Sequence, residues 1–144
     1  MTEAGERPRV WLGDDGQLGI PDLTVEGWER FSTADYAVVF RKEGASSFAI
    51  RVRGPGEVDD VPDRWKRVHE VASEDVTTTS RTFEGYDAIE HEAPCEESDL
   101  LRTLVVRTES HLIDIGQLAA IANDHRAEFE AFLAETRLKR GDRG

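Results

Sequence analysis

LLRTLVVRTESHLIDIGQLAAIANDHRAEFEAFLAETRLK, Leu100 to Lys139, is the stretch that decides the architecture. Leu100 to Thr108 and His111 to Ile115 are apolar and β-prone, and only Glu109-Ser110 separates them, so they read as an antiparallel hairpin. The period then changes. From Asn123 or Asp124 to Lys139, His125, Phe129, Phe132, Leu133 and Thr136 share one face of a helix. Arg137, Lys139 and Arg140 stand at its C-terminal end, where cations are favoured. A hairpin followed by a helix with one apolar face predicts a sheet with that helix laid on it.

Working back from Leu100, Val76 to Phe83 is threonine-rich and weakly apolar, which suits a peripheral strand. Gly85 turns the chain, and Tyr86 to Glu92 pairs back. A second helix begins at Asp60 as its N-cap, with Pro62 and Asp63 in the first turn. Its apolar face is Val61, Trp65, Val68 and Ala72; Lys66, Arg67 and Glu70 lie opposite. Ahead of it, Tyr36 to Phe40 is apolar on both faces, the mark of a central strand. After a turn at Glu43 to Ser47, the strand Phe48 to Arg53 alternates, with Phe48, Ile50 and Val52 inward and Ala49, Arg51 and Arg53 outward; Gly54-Pro55-Gly56 ends it. Val10 to Leu12 and Leu18 to Ile20 flank a Gly13 to Gly16 turn as a first hairpin, and Gly27-Trp28-Glu29 reads as loop. The order is four strands and a helix, then four strands and a helix. That predicts an α+β domain, mostly antiparallel sheet with helices packed on it, over residues 9–140, between tails at 1–8 and 141–144.

Composition bounds the partners. The 144 residues are 38% hydrophobic and 33% charged, with no internal repeat and no apolar run near the roughly 20 residues of a membrane helix. The polar start has no apolar h-region, so no signal peptide is expected. Thirty acidic residues against 18 basic ones give a net charge of -12, and no basic run exceeds two residues. A phosphate-backbone binder needs a clustered positive footprint, so neither nucleic acid nor an anionic membrane is an expected partner. The single cysteine, Cys95, allows no internal disulfide, which suits a cytoplasmic protein.

Three stretches resemble the PsbP-like superfamily, which includes DcrB-like proteins and the Eag-type chaperones of type VI secretion effectors. GQLGIPDLTVEGWER (Gly16 to Arg30) is similar to its opening strand, proline and Gly-Trp. TFEGYDAIEHE (Thr82 to Glu92) is similar to its strand-Gly-aromatic hairpin, and His111 to Lys139 to its closing strand and helix. The resemblance covers Trp11 to Lys139 and implies an α-β-α sandwich, usually non-enzymatic, used as a binding or adaptor surface.

The residues themselves offer no catalytic motif. His91-Glu92-Ala93-Pro94-Cys95 has His and Glu adjacent and lacks the second cysteine of a zinc deaminase pattern, so it reads as a loop histidine and a loop thiol, with no metal. Glu96 and Glu97 beside Cys95 oppose a thiolate nucleophile. His111 and Asp114, three apart on a strand, face opposite sides, and His69 and His125 read as helix histidines without a catalytic partner. No phosphate loop opens a helix, and no cofactor is expected.

Trp65 reads as core, whereas Trp11 and Trp28 flank turns and either cap the sheet or anchor a partner. Arg51 and Arg53 share a face, with Arg41 on the neighbouring strand. Together they either receive an acidic partner segment or pair with the protein's own acids. The edge at Thr78 offers backbone hydrogen bonds to an added strand, from another protein or in a homodimer. The expected function is a non-enzymatic, cytoplasmic protein-binding domain: a chaperone, adaptor or immunity-type partner. The alternative is an enzyme or small-ligand carrier using a cleft between sheet and helix.

Overall fold

A computed structural model describes residues 8–13, 16–43, 46–95, 99–120 and 125–138. The first hairpin is β1 (Arg9–Leu12) and β2 (Leu18–Pro21); β3 (Glu29–Phe31), β4 (Val38–Arg41) and β5 (Ser47–Arg53) follow, then α1 (Val61–His69). The second half is β6 (Thr77–Phe83), β7 (Tyr86–Cys95), β8 (Asp99–Arg107), β9 (Leu112–Ala120), α2 (His125–Ala134) and β10 (Arg137–Leu138). A seven-stranded antiparallel sheet runs in the order β3-β4-β5-β9-β8-β7-β6, and a three-stranded sheet in the order β1-β2-β10. The predicted α+β class, with helices on an antiparallel sheet, is the observed one.

The two faces of the large sheet bury different clusters. Phe48 and Ile50 of β5, Leu104 and Val106 of β8, and Ile113 and Ile115 of β9 lie under α2 and the small sheet. There Phe48 stacks on Phe132 at 4.5 Å between ring centroids. On the other face Val61 and Trp65 of α1 cover Ala93, Cys95, Leu101, Val105 and Leu112. One helix on each face makes the α-β-α sandwich.

Several elements differ from the sequence reading. Residues 29–31, expected as loop, form edge strand β3, whose three side chains are all exposed and so carry no burial alternation. β4 is not central: it lies second from the sheet edge, and its Val39 is apolar because it borders an open hollow on the face opposite Phe40. Val68 is 54% exposed rather than on the buried face, and Ala72 lies beyond α1, which stops at His69 where Glu70 takes a left-handed conformation. Asp60 stands at the N-cap position but makes no capping bond; Asp59 accepts the Val61 N–H at 3.0 Å instead. His91 and Cys95 belong to β7, not a loop, and both are buried. Pro94 is tolerated there because β6 pairs β7 only as far as Glu92, leaving no neighbour on that side.

The last helix ends at Ala134, five residues before the expected Lys139. The N–H groups of Glu135 and Thr136 fold back onto the carbonyls of Phe132 and Leu133, and the Thr136 hydroxyl donates to the Phe132 carbonyl at 2.7 Å. The chain then straightens so that Leu138 pairs with Leu18. The Asn123 or Asp124 start, Lys139, Arg140, and the tails apart from Pro8 lie outside the described residues, as do Glu96 and Glu97.

Candidate functional site

Strand register places Phe31, Val39, Ala49, Gly116, Thr103, His91 and Thr78 in one lateral row across all seven strands of the face that carries α1. The row is bulky at one end and small in the middle. Gly116 lies between Ala49 and Thr103, and a Cβ there would meet the Thr103 hydroxyl at 3.1 Å. With nine residues, α1 roofs only the β7–β8 side of this face, so the small middle of the row becomes the floor of a cleft. The cleft encloses about 320 Å³; Trp65 and His69 of α1 form one wall and Phe31 and Tyr36 the other.

Charged groups at the cleft are already engaged. The Arg51 Nε donates to Asp114 Oδ2 at 2.7 Å and its NH2 to Asp60 Oδ1 at 2.6 Å. Arg53 bonds the same Asp114 at 3.3 Å and reaches Glu57 at 3.4 Å. Burial opposes charge on both partners, pushing the Asp114 carboxyl up and working against the Arg51 guanidinium. On Arg51 the attraction of Asp114 and the bond to Asp60 outweigh it. Arg64 donates to the Tyr36 hydroxyl at 3.1 Å and to Asp35 at 3.0 Å, with its guanidinium 5.1 Å from the Tyr36 ring centroid. His69 Nδ1 stands 3.9 Å from the Cys95 sulfur.

The three arginines singled out by sequence do not form one open patch. Arg51 is only 9% exposed, correcting its outward assignment: it leaves the main core for a face that α1 and its leading loop cover. Arg41 stays at the surface, paired with Glu29 at 3.3 Å and 5.7 Å from the Phe31 ring centroid. Trp28 is partly buried against Phe48, on the opposite face from the cleft. Trp11, 50% exposed, lies flat over Gly19.

Thr78, chosen for its place on an edge strand, has a further relationship. Its hydroxyl meets His91 Nδ1 at 2.9 Å, and His91 Nε2 meets Asp59 Oδ2 at 2.6 Å. This chain ties the edge strand to the loop that starts α1. His111 and Asp114 do not meet: His111 bonds Ser110 at 2.7 Å, while Asp114 faces the arginines. Among the described residues, no three His, Cys, Asp or Glu side chains are placed to hold a metal ion.

Sequence reasoning missed a buried ionic cluster on the α2 face. Arg102, 1% exposed, reaches Glu90 at 3.3 Å, Glu92 at 3.1 Å and the Gln117 amide oxygen at 2.9 Å. Its guanidinium lies 5.5 Å from the Phe129 ring centroid. Arg81 and Arg126 complete it through Glu90 and Glu130. The available signal was the period-two spacing of Glu90 and Glu92, which puts two acids on one face of a strand.

Comparison with solved structures matches this arrangement of strands and helices to the solution structure of cyanobacterial PsbP (CyanoP) from Synechocystis sp. PCC 6803. The TM-score is 0.65, over 96% of this chain and 97% of that one, at 15% sequence identity. The fold is PsbP-like. A crystal structure from Bacteroides thetaiotaomicron VPI-5482 also matches, with a TM-score of 0.61 over 94% of this chain and 50% of that one, at 9% identity. No protein-family model and no curated protein matches the sequence. No helix among the described residues is long and apolar enough to cross a membrane.

Proposed function

We propose that this protein is a non-enzymatic binding domain that receives an apolar side chain of another polypeptide in the cleft between α1 and the sheet. The observation that carries this reading is the row of small residues, Ala49, Gly116 and Thr103, left uncovered beside Trp65. The surface of the hollow is mainly apolar and aromatic, from Phe31, Val39, Val61, Trp65 and Leu101, with polar and charged groups among its lining, the mix that lets a recognition pocket seat an apolar group and orient it. The cleft also borders β3, the terminal strand of the large sheet, so an extended segment could bond along that edge while one side chain enters the hollow. A non-catalytic role is supported by the engagement of the lining arginines, Arg51 with Asp114 and Arg64 with Asp35 and Tyr36. Chaperone, adaptor and immunity-type roles are all forms of this proposal, and a sequence with a single cysteine suits a cytoplasmic setting.

A second reading is a small-ligand carrier, favoured by the volume of about 320 Å³, which lies within the range of small-molecule sites. Peptide-display selection followed by titration of Trp65 fluorescence separates the two. Selected peptides should bind the parent and lose binding to Ala49→Leu, which fills the hollow. No selected binder, together with a small apolar molecule found by native mass spectrometry and lost in Ala49→Leu, would replace the first reading with the second.

A further inference from the structure

We propose that two copies of this chain associate by pairing β6 with β6 across a two-fold axis at Ser80. Among the described residues β6 ends the seven-stranded sheet, and its one strand partner is β7. It pairs in unbroken register from Thr77 to Phe83, with no proline and no bulge, so its outer edge is a straight template about 23 Å long.

Which backbone groups face outward follows from the turn. Glu84 and Gly85 have φ of 52° and 87°, the left-handed pair of a two-residue hairpin turn, which makes Phe83 and Tyr86 a mutually bonded pair. Bonded and non-bonded positions alternate along an antiparallel ladder. Arg81, Thr79 and Thr77 therefore also bond inward to β7, and Thr82, Ser80 and Thr78 turn their N–H and C=O groups outward. An antiparallel copy centred on Ser80 sets Ser80 opposite Ser80 and Thr78 opposite Thr82. All of these are outward-facing residues, so every outward group of the three finds a partner.

The side chains suit a second copy. Thr78 opposite Thr82 is a favourable cross-strand pair. On a chain of net charge -12, β6 carries no acid at all, so two acidic copies can meet along it without carboxylates opposed. Its one cation, Arg81, falls opposite Thr79 and is already neutralised by Glu90 and Glu130 within its own chain. The Thr78 hydroxyl is held by His91 below the edge, leaving the main chain of Thr78 clear. The negative charge elsewhere still repels, so added salt should strengthen the association.

Sedimentation velocity on the full chain at low and high salt, over a range of concentrations, tests this. A dimer favoured by salt is expected. Ser80→Pro removes an outward N–H and no bond to β7, so it should yield a folded monomer; Ser80→Lys, which sets like charges across the axis, gives the same readout should the proline variant fail to fold. In a Cys95→Ser background, Ser80→Cys should form an intermolecular disulfide, because bonded antiparallel pairs bring Cα atoms within the bridging range. A parent that is monomeric throughout overturns the proposal. So does a dimer that survives Ser80→Pro or Ser80→Lys, or a Ser80→Cys protein that stays uncrosslinked while dimeric.

Discussion

Asp59 Oδ2 lies 2.6 Å from His91 Nε2, and through that imidazole the loop ahead of α1 is joined to Thr78 on the edge of the sheet. Hydroxyl, imidazole and carboxylate stand in the order of a hydrolase relay. They also act as a clip between two elements, since the ring is buried, Thr78 lies on the edge strand, and the carboxylate accepts the Val61 N–H at the start of α1.

The clip gives a pH dependence with a fixed sign. Burial pushes the Asp59 carboxyl up, but the bonds from His91 and the Val61 N–H, with the nearby positive charge, outweigh it and hold the group below its ordinary value of 3.8. A carboxylate with a lowered folded pKa contributes stability that is present above the unfolded value and lost as pH falls through the folded one. The melting temperature of Asp59→Asn should therefore sit below the parent's at neutral pH, and the gap should close as pH drops below about 4. A gap unchanged into strong acid would remove Asp59 as the cause.

Arg102 is the largest fully buried side chain among the described residues, and it shares Glu90 and Glu92 with the more exposed Arg126. Breaking a buried pair by removing one side costs about 3–5 kcal/mol, far more than exchanging both. Arg102→Ala should show that loss in urea unfolding, and Arg102→Met with Glu90→Gln should recover part of it. A single-variant loss below about 1 kcal/mol, the scale of a surface pair, would show that the cluster is solvated.

The Trp11 ring lies so close over Gly19 that an added Cβ would stand 2.8 Å from it. Gly19→Ala should displace the half-exposed Trp11 ring, at a cost of about 1 kcal/mol, the low end for overpacking, read as a drop in melting temperature and a shift in tryptophan emission. Trp11→Ala in the same chain should restore most of that, since the pair is in contact and will not be additive. Additive losses would locate the strain elsewhere.

Phe132 stacks on Phe48 and meets Phe40 edge-on at 6.5 Å between centroids. Phe132→Ala should cost about 3–5 kcal/mol in chemical denaturation, as expected for a large core aromatic. Retention of full stability would mean that α2 does not seat on the sheet in solution.

Strands and helices with a strong period were legible from sequence: the β8–β9 hairpin, the α2 face from Phe129 to Leu133, and the threonine-rich edge at β6. What escaped depended on partners far along the chain. β3 has no buried side chain to set a period, and β10 exists only because Leu138 meets Leu18. Alternation in β5 correctly divided its residues between two faces. It could not tell that the second face was covered, which is why Arg51 looked solvent-exposed. The cleft was hidden for a similar reason. Ala49, Gly116 and Thr103 are unremarkable singly, and only the register aligns them.

The pairing of β10 with β2 also has a consequence for biosynthesis. Arg137 lies opposite Gly19, and the Arg9 guanidinium holds the Glu135 carbonyl at 2.9 Å, so the opening hairpin gains its third strand from residues made more than a hundred positions later. On the ribosome, β1 and β2 emerge long before α2 and β10, and their apolar Leu18 and Ile20 lack part of their seat until those later elements have left the exit tunnel. Closure of this domain therefore waits for both of its distant segments, and loss of Arg137 and Leu138 would leave β2 without its second neighbour and open to chaperones and proteases.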